Sequence, residues 1–270
     1  MCFHNVIKAV LLAWLFVCPA KTNAQTLHVI AVADTDSNIG PSVRADLFRL
    51  KSTLTNGFEQ NQVHWIELSG TSATPARVIR TLKEVVIDPQ RDAVMLYYSG
   101  HGGFDTKNGH FLSMSHGGRL YRSQVLDAIT TPVTPKFWAV VTDCCANLSN
   151  TAFNSPSVDA PRKRKQLLQN LFFQTQGSVD ITSSRPGQVS YCSQSLGGAF
   201  TIAFCGVIED NYYNSLRWDD VFRQTRSQTA RLAELMIENS KPVAAGNTGQ
   251  QTTQTAYSFS EMYGRNVNGE

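Results

Sequence analysis

The chain has 270 residues, of which 42% are hydrophobic and 17% are charged. This length suits one α/β domain with a full core and is too short for two large domains. The formal net charge of +3 is small and spread along the chain, which argues against a nucleic-acid-binding protein.

The N-terminus has the pattern of an export signal. Its parts are Lys8 in the basic region, the apolar run Ala9–Ala20, and the small residues Thr22–Ala24 before a cut at Gln25. The run is shorter than the about 20 residues that span a bilayer, and Val17 is bulky for lipidation of Cys18. We therefore expect a signal peptide at residues 1–24, export to the periplasm or beyond, and no stable membrane span.

Four cysteines remain after cleavage, namely Cys144, Cys145, Cys192 and Cys205. They are too few for the disulfide framework of a small secreted protein. A Cys192–Cys205 bridge is compatible with an oxidising compartment, whereas neighbouring cysteines rarely bridge each other. At least one thiol is therefore expected to be free.

Apolar patterns in the first half of the chain predict strands that alternate with helices. The predicted strands are Leu27–Ala33, Val63–Leu68, Ala93–Tyr98 and Phe137–Asp143. The predicted helices bury Val43, Leu47, Leu50 and Leu54 before Asn56–Gly57, then Val78, Leu82, Val85 and Val86 after the Thr74–Pro75 cap, with a short helix at Ser123–Ile129. A small hairpin precedes the short helix.

The second half continues the pattern after a polar segment. Its predicted elements are a helix at Leu167–Phe173, a strand at Ser178–Ser184, a helix at Gly197–Ile208, and a last helix from Trp218 that buries Val221, Phe222, Thr225, Leu232 and Leu235. Alternating strands and helices predict an α/β fold with a mostly parallel central sheet flanked by helices. We expect one domain at residues 26–240 and a polar, disordered or loosely docked tail at 241–270.

Two of the predicted strands end on chemically reactive side chains. "DAVMLYYSGHGG" (Asp92–Gly103) has His101 in a glycine-rich turn, and "KFWAVVTDCCAN" (Lys136–Asn147) ends at Asp143, Cys144 and Cys145. Ligands of open parallel sheets bind outside the carboxyl ends of the strands. If these strands are neighbours, the sheet brings an imidazole and a thiol to one edge.

A cysteine and a histidine placed in this way suit covalent acyl transfer, with backbone N–H groups available to hold an oxyanion. Alone, such a histidine is more often a turn residue and such a cysteine a small buried side chain. A zinc site built from His101, His110, His116 and a cysteine lacks the usual ligand spacing, so no metal is expected. Adjacent side chains of a strand face opposite ways, but this does not say whether Cys144 or Cys145 is reactive.

The motifs "LYYSGHG" (Leu96–Gly102) and "VVTDCCAN" (Val140–Asn147) resemble the histidine and cysteine motifs of caspase-like peptidases. The metacaspase and paracaspase branch, with its exported bacterial relatives, is the most similar. The order of elements matches that family over residues 27–235. The resemblance implies a caspase-like three-layer sandwich and a cysteine endopeptidase of peptides or proteins that needs no cofactor.

The resemblance also implies roles for single residues. The family pattern of aspartate, one residue and then the nucleophile makes Cys145 the nucleophile and His101 the general acid and base. The N–H groups of Gly102 and Cys145 become the oxyanion donors. Asp46, Ser99 and Asp143 would line a specificity pocket for Arg or Lys, since a carboxylate pair in a cleft favours a basic side chain.

Several features leave alternatives open. Ala146–Leu148 replaces the usual His-Ser-Gly after the nucleophile, so a weak or inactive pseudopeptidase that binds partners is the rival interpretation. The chain offers little beyond Asp105 for a calcium cluster, so no calcium requirement is expected. The basic run Arg162–Lys165 is either a self-processing site or a solvated helix start. A thiol oxidoreductase is disfavoured because Cys144 and Cys145 lack a two-residue spacer.

Overall fold

The computed structural model describes residues 25–59, 61–144, 147–149, 161–211, 214–239, 253–259 and 265–266. The expected signal peptide at 1–24 and the expected nucleophile, Cys145, lie outside this range, as does most of the expected tail. Within the described part, strands and helices alternate for most of the chain.

The strands are β1 (Leu27–Ala33), β2 (Val63–Ser69), β3 (Ala93–Asp105), β4 (Gly109–Met114), β5 (Gly118–Tyr121), β6 (Phe137–Cys144), β7 (Asn147–Ser149), β8 (Thr175–Thr182), β9 (Tyr191–Ser193), β10 (Gly197–Gly198), β11 (Tyr257–Ser258) and β12 (Arg265–Asn266). The α-helices are α1 (Gly40–Gly57), α2 (Pro75–Glu84), α3 (Arg122–Thr130), α4 (Pro161–Phe173), α5 (Ala199–Asp210) and α6 (Trp218–Asn239).

The central sheet has the order β11-β8-β6-β3-β1-β2. Its strands β8, β6, β3, β1 and β2 run parallel to one another, and the short strand β11 is antiparallel to β8. β3 and β6 are neighbours, with Ser99 opposite Asp143 and Gly100 opposite Cys144. The expected mostly parallel sheet, and the adjacency of the two strands that carry the motifs, are confirmed.

Helices cover both faces of the sheet and give the fold three layers. Odd-numbered residues of β3, such as Met95 and Tyr97, pack in the larger core with α1, α4, α5 and α6. Even-numbered residues, such as Leu96 and Tyr98, pack in a second core with α2, α3 and the β4–β5 hairpin. Parallel strands buried on both faces read as continuous apolar runs, which explains why the sequence located them well.

The glycine-rich stretch around His101 is not a turn, contrary to expectation. β3 continues through it to Asp105 and pairs with β4 in antiparallel register, with His101 opposite Ser113. Glycine is required here because neighbouring side chains fill the space that a Cβ would need. A Cβ on Gly100, for example, would lie 2.8 Å from the Cβ of Asp34, which cannot move without its backbone.

Two predicted helix stripes need smaller corrections. α2 ends at Glu84, so Val86 lies beyond the helix and is 88% exposed rather than inward. On α6, Leu232 and Leu235 are only partly buried, and the neighbouring Ala233 and Met236 are the buried residues. The predicted Thr74 cap is confirmed, since its side chain accepts a hydrogen bond from the Arg77 N–H.

Part of the segment expected to be a loosely docked tail packs on the sheet. β11 and β12 both pair with β8. Gln254 is buried, accepts a hydrogen bond from the Tyr191 N–H at 2.8 Å, and donates to the Ser183 carbonyl at 3.0 Å. Residues 253–259 therefore contribute to the packed domain. Within the described ranges, none of the helices has the length and apolar character required to cross a membrane.

Candidate active site

The carboxyl edge of the sheet gathers side chains from several elements. β3 supplies Ser99 and His101, and β6 supplies Asp143 and Cys144. α1 contributes Asp46 from the face of the sheet on which it packs. The loop after β1, the strand β10 and the start of α5 complete this region.

His101 is held on both its side chain and its backbone. Its Nε2 lies 2.6 Å from Oδ1 of Asn38, an exposed residue in the loop after β1. The Tyr98 hydroxyl lies 2.6 Å from the carbonyl oxygen of His101 and 2.7 Å from that of Ser113. With Asn38 as the acceptor, Nε2 carries the proton and Nδ1 keeps its lone pair.

Asp46 is a fully buried carboxyl group that accepts two hydrogen bonds from neutral donors. The Ser99 hydroxyl donates to Oδ2 at 2.8 Å, and the Gly198 N–H donates to Oδ1 at 2.8 Å. Burial raises the pKa of Asp46 well above its ordinary value, and the nearby negative charge of Asp143 raises it further. No salt bridge within the described residues involves Asp46.

Asp143 is also fully buried and is oriented by the start of α5. Its Oδ2 accepts hydrogen bonds from the Thr201 N–H at 2.9 Å and the Thr201 hydroxyl at 2.8 Å. The Tyr97 hydroxyl lies 2.6 Å from the Thr201 oxygen and therefore donates to it. Burial raises the pKa of Tyr97 well above its ordinary value, so this donor keeps its proton.

The three residues expected to form the specificity pocket are thus brought together, but they are closed to solvent. Asp46, Ser99 and Asp143 each have zero exposure. β10 lies directly over Asp46: Gly197 has a φ of +101°, and a Cβ on it would collide with Oδ1 of Asp46. A substrate side chain reaches these groups only if β10 moves.

Cys144 belongs to the opposite face of the sheet. It packs in the core of α2 and α3, is 8% exposed, and its Sγ lies 3.7 Å from Nε2 of His110. Burial raises the pKa of the Cys144 thiol to about 12, an effect that nearby Arg122 only partly offsets. A thiol with such a pKa remains protonated near neutral pH and is a poor nucleophile.

His110 does not activate Cys144 as a general base would. Nη1 of Arg122 lies 3.1 Å from Nδ1 of His110 and can only donate, so Nδ1 is the acceptor and Nε2 carries the proton. Burial, together with the charge of Arg122, lowers the pKa of His110 to about 3. The Cys144–His110 contact is therefore one between two neutral groups, a buried thiol and a partly buried imidazole.

Arg122 organises the rest of this face. Its Nε forms a buried ion pair with Oδ1 of Asp180 at 2.6 Å, and its Nη2 donates to the Ile181 carbonyl at 2.9 Å. Nη1 also donates to the Thr142 hydroxyl at 3.1 Å. The guanidinium lies 4.4 Å from the ring centroid of Phe259, in the C-terminal segment. The network joins α3, β6, β8 and that segment.

Gly102, an expected oxyanion donor, also has a packing role. A Cβ at this position would lie 2.7 Å from Sγ of Cys144 and 2.9 Å from the Phe111 carbonyl oxygen. The close approach of β3 to Cys144 therefore requires glycine here, independently of any role of its N–H group. The structure describes no contact of Cys145, so the expected nucleophile and oxyanion donor stays a prediction.

Other expectations concern metals and disulfides. Within the described ranges there is no group of three or more His, Cys, Asp or Glu side chains that could hold a metal ion. Cys192 and Cys205 are both buried and are not joined in the bridge that the sequence allowed. The backbone of Arg162–Lys165 forms the beginning of α4, and its side chains lie outside the described part.

The sequence did not predict the residues that hold the site residues in place through hydrogen bonds. Asn38 stands in a loop that the sequence placed at the carboxyl end of the first strand, and the polar residues of such loops are candidates for ligand contacts. Gly198 and Thr201 precede and begin a helix far along the chain, and only the fold brings them to the acidic residues. Arg122 had no local signal, since its partners lie in β6 and β8.

The fold places the protein among the caspase-like α/β proteins. Among solved structures, caspase-1 from Spodoptera frugiperda is similar, with a TM-score of 0.54, 12% sequence identity, and coverage of 89% of both chains. The chain belongs to the caspase domain family, whose model matches residues 42–261, and members of this family are cysteine peptidases. No curated protein shows significant similarity in sequence.

Proposed function

We propose that the protein is an exported cysteine endopeptidase of the metacaspase and paracaspase type, which cleaves after Arg or Lys with Cys145 as nucleophile and His101 as acid and base. One observation carries the proposal. β3 and β6 are paired up to Gly100 and Cys144, so His101 follows one member of this pair and Cys145 follows the other.

The two faces of β6 support Cys145 over Cys144. Asp143 faces the Asp46 cluster, and Cys144 faces His110 in the opposite core. Alternation of side chains along a strand therefore predicts for Cys145 the face of Asp143, which is also the face of the odd-numbered His101. The buried, protonated thiol of Cys144 is left with a packing role.

The tautomer of His101 fits this chemistry. With Nε2–H directed at Asn38, Nδ1 accepts the proton of the Cys145 thiol, and the thiolate attacks the carbonyl carbon of the substrate. The imidazolium then gives its proton to the leaving amine as the peptide bond breaks. Water, deprotonated by the same ring, hydrolyses the thioester and restores the thiol.

The preference for a basic side chain rests on Asp46. This carboxyl group is buried and is bonded only to neutral donors among its described contacts, Ser99 and Gly198. A guanidinium or ammonium group would lower the raised pKa of Asp46 and form an ion pair with the ionised carboxylate, and burial makes such a pair selective. Because β10 covers Asp46, binding of the substrate residue is coupled to displacement of Gly197 and Gly198.

A second candidate is a pseudopeptidase that binds partners without turnover. The closed acidic cluster and the Ala146–Leu148 sequence after the nucleophile favour it. An oxidising compartment, reached through the expected signal peptide at residues 1–24, would also disfavour a free catalytic thiol.

The decisive experiment uses a thiol-reactive peptide electrophile with Arg at the P1 position, and a fluorogenic peptide panel varied at P1. We expect labelling and turnover to be lost in Cys145→Ala and retained in Cys144→Ala. In Asp46→Asn, the ratio of kcat/KM for an Arg peptide to that for a peptide with isosteric, neutral citrulline should fall about a hundredfold. This is the effect expected from the loss of one buried charge pair. Labelling of neither cysteine would support the pseudopeptidase, and labelling of Cys144 alone would refute the assignment.

A further inference from the structure

Two histidines contact each other on neighbouring strands. They lie at the end of the sheet opposite to the carboxyl edge, where the candidate active site is. β1 and β2 are parallel, and His28 stands directly opposite His64. The Nδ1 atoms of the two rings are 3.1 Å apart, and the ring planes are close to perpendicular, at 80°. His28 is buried and His64 is exposed.

Asp92 fixes the orientation of His28. Its Oδ2 lies 3.3 Å from Nε2 of His28. The carboxylate is itself held by the N–H groups of Thr26 at 2.9 Å and Asp88 at 2.9 Å. Because a carboxylate only accepts, Nε2 of His28 carries the proton, so its Nδ1 lone pair accepts a hydrogen bond from the Nδ1–H of His64.

We propose that His28 and His64 bind one late first-row transition cation, such as Zn²⁺ or Cu²⁺, through their Nδ1 atoms, with water in the remaining coordination positions. Two nitrogens bound to one tetrahedral zinc ion at about 2.0–2.1 Å lie roughly 3.3 Å apart, close to the observed separation. Imidazole is the ligand that these cations favour over hard cations such as Ca²⁺.

Three features make this pair better suited to metal than an ordinary histidine contact. His28 is already in the tautomer that a metal needs, and a carboxylate on the far ring nitrogen is the usual support of a metal-bound histidine. The exposed His64 gives the ion a path of entry, and a shift of its proton from Nδ1 to Nε2 frees Nδ1 to coordinate.

The site is independent of the proposed catalytic residues. It lies at the amino ends of β1 and β3, whereas His101 lies near the carboxyl end of β3. The metal would tie β2, an edge strand of the central sheet, to the buried β1. The expected consequence is added stability, and the proposal does not depend on the protein being an active peptidase.

The test is a calorimetric titration with ZnCl₂ on full-length protein carrying Cys145→Ala, which removes a competing thiol. We expect one Zn²⁺ per chain and, at zinc about a hundredfold above Kd, a rise in Tm of several degrees. CaCl₂ should give neither effect. Absence of zinc binding would overturn the proposal.

Matched variants locate the site. His64→Gln, at an exposed position that folding tolerates, should weaken binding at least tenfold. Asp92→Asn should weaken it about 10- to 100-fold, because it removes the carboxylate that orients His28. The control His116→Gln removes another exposed histidine, bonded to Asp36, and should bind zinc like the parent. With Cu²⁺, electron paramagnetic resonance should show two coupled nitrogens in the parent and one in His64→Gln. Equal binding by the parent and His64→Gln would refute the site.

Discussion

Asp143 and Cys144 are adjacent on one strand yet belong to two different chemical environments. On the face of Asp143, the described carboxyl groups accept hydrogen bonds from hydroxyl and N–H donors. On the face of Cys144, the acid Asp180 already has its cation in Arg122. The second face satisfies its own charges, which is typical of a structural network. The face of Asp143 contains Asp46, a buried acid suited to a cationic ligand. This difference distinguishes the candidate site from the structural network around Arg122.

The largest effect expected from this contrast is on turnover. His101→Ala should lower kcat by about 10²- to 10⁴-fold, since it removes the proposed acid and base of the reaction. His110→Gln, on the other face, should leave kcat within a few fold because its ring is neutral and already bonded to Arg122. Steady-state kinetics with an Arg peptide measures both. A collapse of activity in a folded His110→Gln protein would reverse the assignment of the faces.

The next largest effect is on stability. Arg122→Met should lower the free energy of unfolding by about 3–5 kcal/mol, because it leaves the buried Asp180 carboxylate without its cation. The matched control is Arg119→Met, whose side chain is 55% exposed and lies 3.9 Å from Asp105. That change should cost less than about 0.5 kcal/mol. Urea denaturation compares them, and equal losses would show that the network is not structural.

His110, on the face of Cys144, should also make the free energy of unfolding fall at acidic pH. The pKa of His110 is lowered from 6.5 to about 3. Between these values the unfolded chain binds a proton that the folded chain does not, so stability falls as pH falls, by up to about 1.4 kcal/mol per unit. His110→Gln should flatten this part of the curve, whereas His116→Gln, at an exposed position, should not. Identical slopes for parent and His110→Gln would contradict the buried neutral state.

A smaller effect tests the support of His101. Asn38→Ala removes the acceptor of the Nε2 proton of His101. It should lower kcat on the order of tenfold, the effect of losing one hydrogen bond, with little change in KM. Asn38→Asp retains the acceptor and should recover most of the rate. If both variants match the parent in kcat, Asn38 has no positioning role.

The sequence located the strands of the sheet well because parallel strands buried on both faces are continuous apolar runs. The alternation of elements predicted a parallel sheet but left the adjacency of β3 and β6 as a condition, which the strand pairing meets. The grouping of Ser99 with Asp46 came only from family resemblance, since these residues are far apart in the chain.

Other features depended on contacts that no local pattern reveals. Glycines around His101 suggested a turn, but they are needed where β3 passes close to Cys144 and Phe111. The C-terminal segment is polar, yet its backbone pairs with β8 and Gln254 forms buried hydrogen bonds. Backbone pairing and buried amide bonds leave no hydrophobic signature, so composition alone assigned this segment to a tail.

β3 belongs at once to the parallel sheet and to the hairpin, and no loop interrupts it on either side of His101. Pairing on both sides holds the backbone of His101 in place. If a substrate is to reach Asp46, we expect the movement in the segment that covers it, β10, and not in β3.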